Sequence, residues 1–173
     1  MTTVAAVAQL LVALAFISIP MLRHRYGATT AKANAEAELR RQGVPTGVLA
    51  ENKLNFDAAG HETAVPASVA AVMVTVAALN LAGNHWGQLL TWVFSSLVLV
   101  GNGLILWSQL TAVQSVQKAF ERKGDPTLRR IDVPALLKAA ESGFPTWTPI
   151  LQNVRHSMVF AGSIIALVAV GLA

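Results

Sequence analysis

Three long stretches of this 173-residue chain carry no charged side chain, and they restrict its fold more than any other feature. Residues 1–22, 64–110 and 157–173 contain no Asp, Glu, Lys or Arg, so all 13 basic and 9 acidic residues lie in 23–63 and 111–156. A water-exposed domain averages about 25% charged residues, whereas this chain has 13%, with 54% hydrophobic residues. A helix that crosses a bilayer needs about 20 apolar residues. The sequence therefore predicts an integral membrane protein.

The middle uncharged stretch is long enough for two helices joined by a short polar loop at residues 84–87. The last helix can begin before its apolar block, because Thr148 is a suitable N-cap and Pro149 suits a first helical turn. We therefore predict an all-α fold, an integral membrane four-helix bundle that forms a single membrane domain over residues 1–173. Its spans are expected at about 4–22, 64–83, 88–110 and 149–173.

The placement of the basic residues predicts the orientation of the chain. Lys and Arg concentrate in cytoplasmic loops of membrane proteins, so segments 23–63 and 111–148 are expected in the cytoplasm and both termini outside. The first three residues lack the basic region of a cleavable signal peptide, so the first span is expected to be retained. The predicted location is the plasma (inner) membrane of a bacterium. Since membrane-flanking loops explain the basic pI, no nucleic-acid partner is predicted.

Both charged segments predict short amphipathic helices. Thr29 or Thr30 can cap a helix that ends before Gly43, but its apolar face is thin, so we expect it to rest on the membrane surface or on a partner rather than build a core. Asp132 can cap a second helix that ends at Gly143.

Several residues within and beside the spans predict helix packing, contact with a partner, or membrane anchoring. Gly101-Asn102-Gly103 predicts a close helix crossing with one interhelical hydrogen bond, and a polar lining for a ligand path is the alternative. Ala71 and Ala78 belong to a series of small residues that would bury the second span among the others. Four tryptophans are expected as interfacial anchors: Trp86, Trp92, Trp107 and Trp147.

The chain offers one candidate metal site and little other chemistry. His24, His61 and His156 are expected near one membrane depth with Glu62 beside them, and three imidazoles with a carboxylate suit a divalent transition metal. The alternative is that these histidines are ordinary interfacial residues, with Arg155 snorkelling next to His156. The absence of cysteine excludes a disulfide, a thiolate zinc site and a Cys nucleophile. No glycine-rich phosphate loop is present, and no cofactor is predicted.

The segment from His61 to Pro66 (His-Glu-Thr-Ala-Val-Pro) loosely resembles the entry to the second span in small four-span membrane enzymes of eicosanoid and glutathione metabolism. That resemblance implies an enzyme or metal-binding protein with a site at the cytoplasmic interface, although the family's arginine and tyrosine pattern on the later helices is absent.

The function predicted first is a non-catalytic accessory or scaffold subunit of a larger membrane complex, such as a respiratory assembly or lipid transporter. Its partners are the lipid bilayer and larger membrane subunits or a second copy of itself. A homo-oligomeric small channel or transporter, with Asn80 and Asn102 facing a shared pore, is a further alternative.

Overall fold

The computed structural model describes all residues except Ala59, and the side chain of His61 also lies outside the description. Most of the described residues are helical, and they contain no strand. The helices, labelled in chain order, are Thr2–Tyr26 (α1), Lys32–Arg41 (α2), Val48–Glu51 (α3), His61–Leu81 (α4), His85–Leu110 (α5), Ala112–Lys123 (α6), Pro126–Arg129 (α7), Val133–Glu141 (α8) and Thr148–Gly171 (α9).

Four of these helices, α1, α4, α5 and α9, are long and apolar enough to cross a membrane. The all-helical class and the four apolar helices predicted from the sequence are therefore confirmed.

The chain forms two compact units. A long-helix unit comprises Met1–Pro20, Gly60–Leu106 and Pro149–Ala173, and a short-helix unit comprises Met21–Ala59 and Trp107–Thr148. The single membrane domain predicted over residues 1–173 stays a prediction.

In the long-helix unit, α5 buries a narrow stripe of residues. On α5 the buried residues Thr91, Ser95, Val98 and Asn102 recur at spacings of three and four, which is the pattern of helices that pack at a small crossing angle. Small residues set the closest approaches. A Cβ added at Gly87 would lie 2.7 Å from the backbone nitrogen of Asn80 on α4.

Gly101 and Gly103 do not form the close helix crossing that the sequence predicted. A Cβ added at either position would meet no atom within 4 Å. Only Asn102, between them, is fully buried. A helix turns by about 100° per residue, so the two glycines cannot share the direction of Asn102, and it is the amide that faces the core.

The short-helix unit has a hydrophobic core of its own, contrary to the expectation that the first charged segment could not build one. Ala35 and Leu39 of α2 are fully buried and cluster with Leu136 of α8 and Phe120 of α6. The thin apolar face of α2 is sufficient because α8 packs directly on α2 and supplies the missing apolar surface.

The N-terminus of α2 also differs from the prediction. No cap forms at Thr29 or Thr30, because a π-helical turn, Gly27–Ala31, joins α1 to α2 without interruption. The hydroxyl groups of both threonines accordingly donate to carbonyl oxygens, and that of Thr30 reaches the carbonyl of Gly143. The predicted cap of α8 is confirmed, since the carboxylate of Asp132 accepts a hydrogen bond from the backbone N–H of Ala135 at 3.0 Å.

A bidentate ion pair stabilises the C-terminal end of α2. Arg41 donates from Nε to Glu38 Oε2 at 2.8 Å and from a second guanidinium nitrogen to Oε1 at 2.6 Å. These hydrogen bonds, together with one from Gln42, lower the pKa of Glu38 from 4.5 to about 2. Gln42 also accepts from the backbone N–H of Asp132 at 2.8 Å, which ties the end of α2 to the start of α8.

Candidate functional site

A polar network joins three helices inside the long-helix unit. Gln9 of α1 donates to the hydroxyl of Thr91 on α5 at 2.8 Å, and Asn80 of α4 donates to both Gln9 Oε1 and Thr91 Oγ1, at 3.0 and 2.8 Å. All three side chains are buried. Thr91 in turn donates to the carbonyl of Gly87, one turn earlier in α5. The network fixes the relative register of α1, α4 and α5.

A second buried polar contact links α5 to α9. Nδ1 of His156 donates to Oδ1 of Asn102 over 3.0 Å, and the two residues are 6% and 0% exposed. The interhelical hydrogen bond predicted for Asn102 is therefore present. The amide nitrogen of Asn102 is buried and makes no hydrogen bond to any described residue.

Arg155, next to His156, is buried in the long-helix unit and does not snorkel as the sequence suggested. It is 7% exposed, and the guanidinium carbon lies 5.2 Å from the ring centroid of Phe16 on α1. Its Nε is buried without a hydrogen-bond acceptor, and no carboxylate among the described residues pairs with it. The aromatic face explains this position, because a ring quadrupole attracts a cation.

An apolar cavity of about 350 Å³ lies beside Phe16. Its walls come from residues 65–73 of α4, including Val69 and Met73, and from residues 94–105 of α5, including Gly101. It is open to the protein surface, because Val65 and Leu97 at its rim are 60% and 61% exposed. The volume falls in the roughly 300–1,000 Å³ range of small-molecule pockets.

The outer side of α4 is lined by small residues. We call this surface the alanine face, and it consists of five exposed residues: Ala64, Ala67, Ala71, Thr75 and Ala78. The sequence predicted helix packing or a partner contact for Ala71 and Ala78. Both are exposed among the described residues, and a partner contact stays a prediction. The larger side chains of Met73 and Asn80 are buried on the inward side of α4 instead. Met73 lies two residues from Ala71, and Asn80 lies two residues from Ala78. Each is therefore about 160° around the helix axis from an alanine of the face.

The four predicted metal ligands have different surroundings. His24 is exposed and belongs to the short-helix unit, whereas Glu62 and His156 belong to the long-helix unit. The side chain of His61 lies outside the described residues. Among the side chains that the structure does describe, no three His, Asp or Glu residues are grouped as a metal site would require. A metal site that includes His61 stays a prediction.

The four tryptophans predicted as membrane anchors are all exposed, although their anchoring role stays a prediction: Trp86, Trp92, Trp107 and Trp147.

The sequence reasoning missed the polar network and the burial of Arg155. Gln9 was visible as a lone polar residue in an apolar span, and Asn80 lies in another. Their pairing could not be inferred, since they are 71 positions apart. The polar positions 91, 95 and 102 of α5 do follow a heptad-like spacing, and this signal could have identified its buried face.

Comparisons of this chain with protein-family models, with curated proteins and with solved structures find no match.

Proposed function

We propose that this protein is a non-catalytic accessory subunit of a larger plasma-membrane assembly, and that the alanine face of α4 is its contact with that assembly. The observation that carries the proposal is the outward position of this face. In lipid, small residues allow two helix backbones to approach closely, and such surfaces are enriched where membrane helices associate. In the described part of the chain, the five small residues of the alanine face are exposed.

The rest of the exposed surface supports this assignment by contrast. The exposed residues of α5 and α9 are mostly large and apolar, for example Leu97, Val100, Ile164 and Val168. Large aliphatic side chains suit contact with lipid chains. The alanine face therefore differs in composition from the exposed surfaces of α5 and α9.

The buried amides also favour a structural role. Asn80 and Asn102 are fully buried and hydrogen-bond to other helices of the same chain. Their hydrogen bonds hold the long helices in register, which keeps the alanine face in a fixed shape. Neither amide lies on an outer surface, where a pore shared between copies would need it.

In the proposed arrangement α1, α4, α5 and α9 cross the inner membrane, with the charged segments 23–63 and 111–148 in the cytoplasm and both termini outside. The chain has no cysteine, so single-cysteine variants test this orientation directly. A thiol introduced by Asn84→Cys should react with an impermeant maleimide on intact cells. A thiol introduced by Lys118→Cys should react only after the membrane is permeabilised, and the reverse pattern would contradict the orientation.

The accessory role is tested by purifying tagged variants from their native membrane in a mild detergent. The double variant Ala71→Leu/Ala78→Leu adds bulk to the alanine face, and Ala161→Leu adds the same bulk to an exposed alanine of α9. We expect wild type and Ala161→Leu to retain a stoichiometric larger subunit, identified by mass spectrometry, and the double variant to lose it.

Two results would contradict the proposal. One is retention of the larger subunit by a folded Ala71→Leu/Ala78→Leu variant, since the alanine face would then not be the contact. The other is recovery of wild type with no protein except further copies of itself.

A further inference from the structure

The buried cation and the neighbouring cavity together suggest a ligand that the accessory role does not require. We propose that the long-helix unit binds an anionic amphiphile, with its alkyl chain in the apolar cavity and its carboxylate or phosphate group at Arg155 and Asn102. The proposal rests on the juxtaposition of these groups in one unit, and it does not depend on the alanine face.

The cation is the first part of the argument. A guanidinium group buried in an apolar environment is costly unless an anion or several acceptors compensate it. Arg155 has the face of Phe16 within reach, but no carboxylate of the described residues pairs with it and its Nε has no acceptor. An anionic ligand group would supply both the missing charge and the missing acceptor.

Asn102 provides a second donor on the neighbouring helix. Its Oδ1 accepts from His156, the residue next to Arg155, while its Nδ2 is fully buried and without an acceptor among the described residues. Two donor nitrogens without an acceptor among the described residues, Nε of Arg155 and Nδ2 of Asn102, suit the several oxygen atoms of a carboxylate or phosphate.

The cavity is the second part of the argument. Its lining is almost entirely aliphatic or aromatic, with Ser68 as the one hydroxyl-bearing side chain. The hydroxyl of Ser68 donates to the carbonyl of Ala64, so it does not make the lining polar. Such a surface suits an alkyl chain and offers nothing to a polar solute. Phe16 connects the two parts, because the same side chain lines the cavity and contacts the guanidinium of Arg155.

The position along the helices agrees with one ligand. Arg155 lies seven residues after the start of α9, which corresponds to about 10 Å along the helix axis. The cavity is lined by residues 65–73 of α4 and 94–105 of α5. Asn102, which contacts His156 next to Arg155, lies within this stretch of α5. The polar group of Asn102 and the apolar lining therefore lie at the same level of α5, as the head and chain of one amphiphile require.

The glycines of α5 provide a matched pair of variants. A Cβ added at Gly101 meets no atom within 4 Å, and Gly101 lines the cavity, so we expect Gly101→Leu to extend into the cavity without disturbing the backbone. Gly103 has the same free space but does not line the cavity. Gly103→Leu is therefore the control for adding leucine to this part of the helix.

The test measures binding of four probes to the purified full chain in neutral-detergent micelles by titration and native mass spectrometry. The probes are oleate, oleyl phosphate, oleyl alcohol and inorganic phosphate. We expect wild type and Gly103→Leu to bind at least one of the two anionic amphiphiles at least tenfold more tightly than the alcohol. Gly101→Leu should lose binding of all three oleyl compounds. Inorganic phosphate alone should bind at least tenfold more weakly than the anionic amphiphiles.

Substitutions of Arg155 test the polar end. Arg155→Gln should bind the anionic amphiphiles no more tightly than the alcohol, and Arg155→Lys should keep part of the preference because it keeps the charge. Equal affinity of wild type for anionic and neutral chains would overturn the proposal. Tight binding of inorganic phosphate with no binding of the amphiphiles would also overturn it. Unchanged binding of the oleyl compounds by Gly101→Leu would overturn it as well, and this variant leaves Arg155 in place, so its folding does not depend on a change to the cation.

Discussion

The core of the short-helix unit makes a strong prediction about Leu136. Its side chain is 0% exposed and packs among buried residues of α2, α6 and α8, including Leu39 and Phe120. Truncation to alanine removes the contacts of three carbon atoms and leaves a cavity, which costs about 2–5 kcal/mol in a well-packed core. With a value of about 3 kcal/mol, and a factor of ten for every 1.4 kcal/mol, the opening equilibrium of this unit should increase about a hundredfold.

Hydrogen exchange measured by mass spectrometry on the purified full chain reports this opening directly. In Leu136→Ala the amides of α2 and α8 should exchange about a hundredfold faster than in wild type. Lys138→Ala changes an exposed residue of the same helix and should alter the exchange by less than about threefold. If Leu136→Ala accelerated exchange no more than Lys138→Ala does, the core described for the short-helix unit would be refuted.

Three further predictions concern other contacts. Gly87→Ala should lower the free energy of unfolding by about 1–3 kcal/mol in a denaturant titration, because its Cβ would lie 2.7 Å from the backbone of Asn80, whereas Gly103→Ala should leave it unchanged or raise it by up to about 1 kcal/mol. Asn80→Leu should lower the free energy of unfolding by about 0.6–1.7 kcal/mol in the same titration, since it removes hydrogen bonds between long helices. The folded-state pKa of Glu38 lies below its ordinary value, so its stabilising effect is complete above about pH 4.5 and is lost as the pH falls toward 2. Carboxylate NMR should therefore give a pKa of about 2 for Glu38 in the folded protein, and a higher value in Arg41→Ala.

The helix count was predictable because length and hydropathy are the dominant constraints on a chain in a bilayer. The charge-free stretches left room for four apolar helices and no more. The cap of α8 at Asp132 was equally predictable, since capping depends on residues within one turn.

The features that the sequence did not predict depend on contacts between distant parts of the chain. The core of the short-helix unit pairs Leu39 with Leu136, almost one hundred positions later, and neither helix has enough apolar surface to indicate a core by itself. The alanine face shows a second limit of prediction from the sequence. Small residues at helical spacing indicate a packing surface, but the spacing does not say whether the partner helix belongs to the same chain.

The position of Arg155 shows a third limit of prediction from the sequence. A basic residue near the end of an apolar helix is ordinarily expected to extend toward water. Here its guanidinium stacks on Phe16, and that contact requires the packing of α9 against α1. The candidate ligand site therefore emerged only from the arrangement of the helices.

The most direct measurement of the central claim is a crosslink from the alanine face in native membranes. The variant Ala78→Cys carries the only thiol of the chain, because the natural sequence has no cysteine, and it can be labelled with a short benzophenone maleimide. Illumination should join this position to a different membrane protein, while the same probe on Ala161→Cys should give no such product. Crosslinks only to lipid or to a second copy of the chain at position 78 would contradict the accessory role.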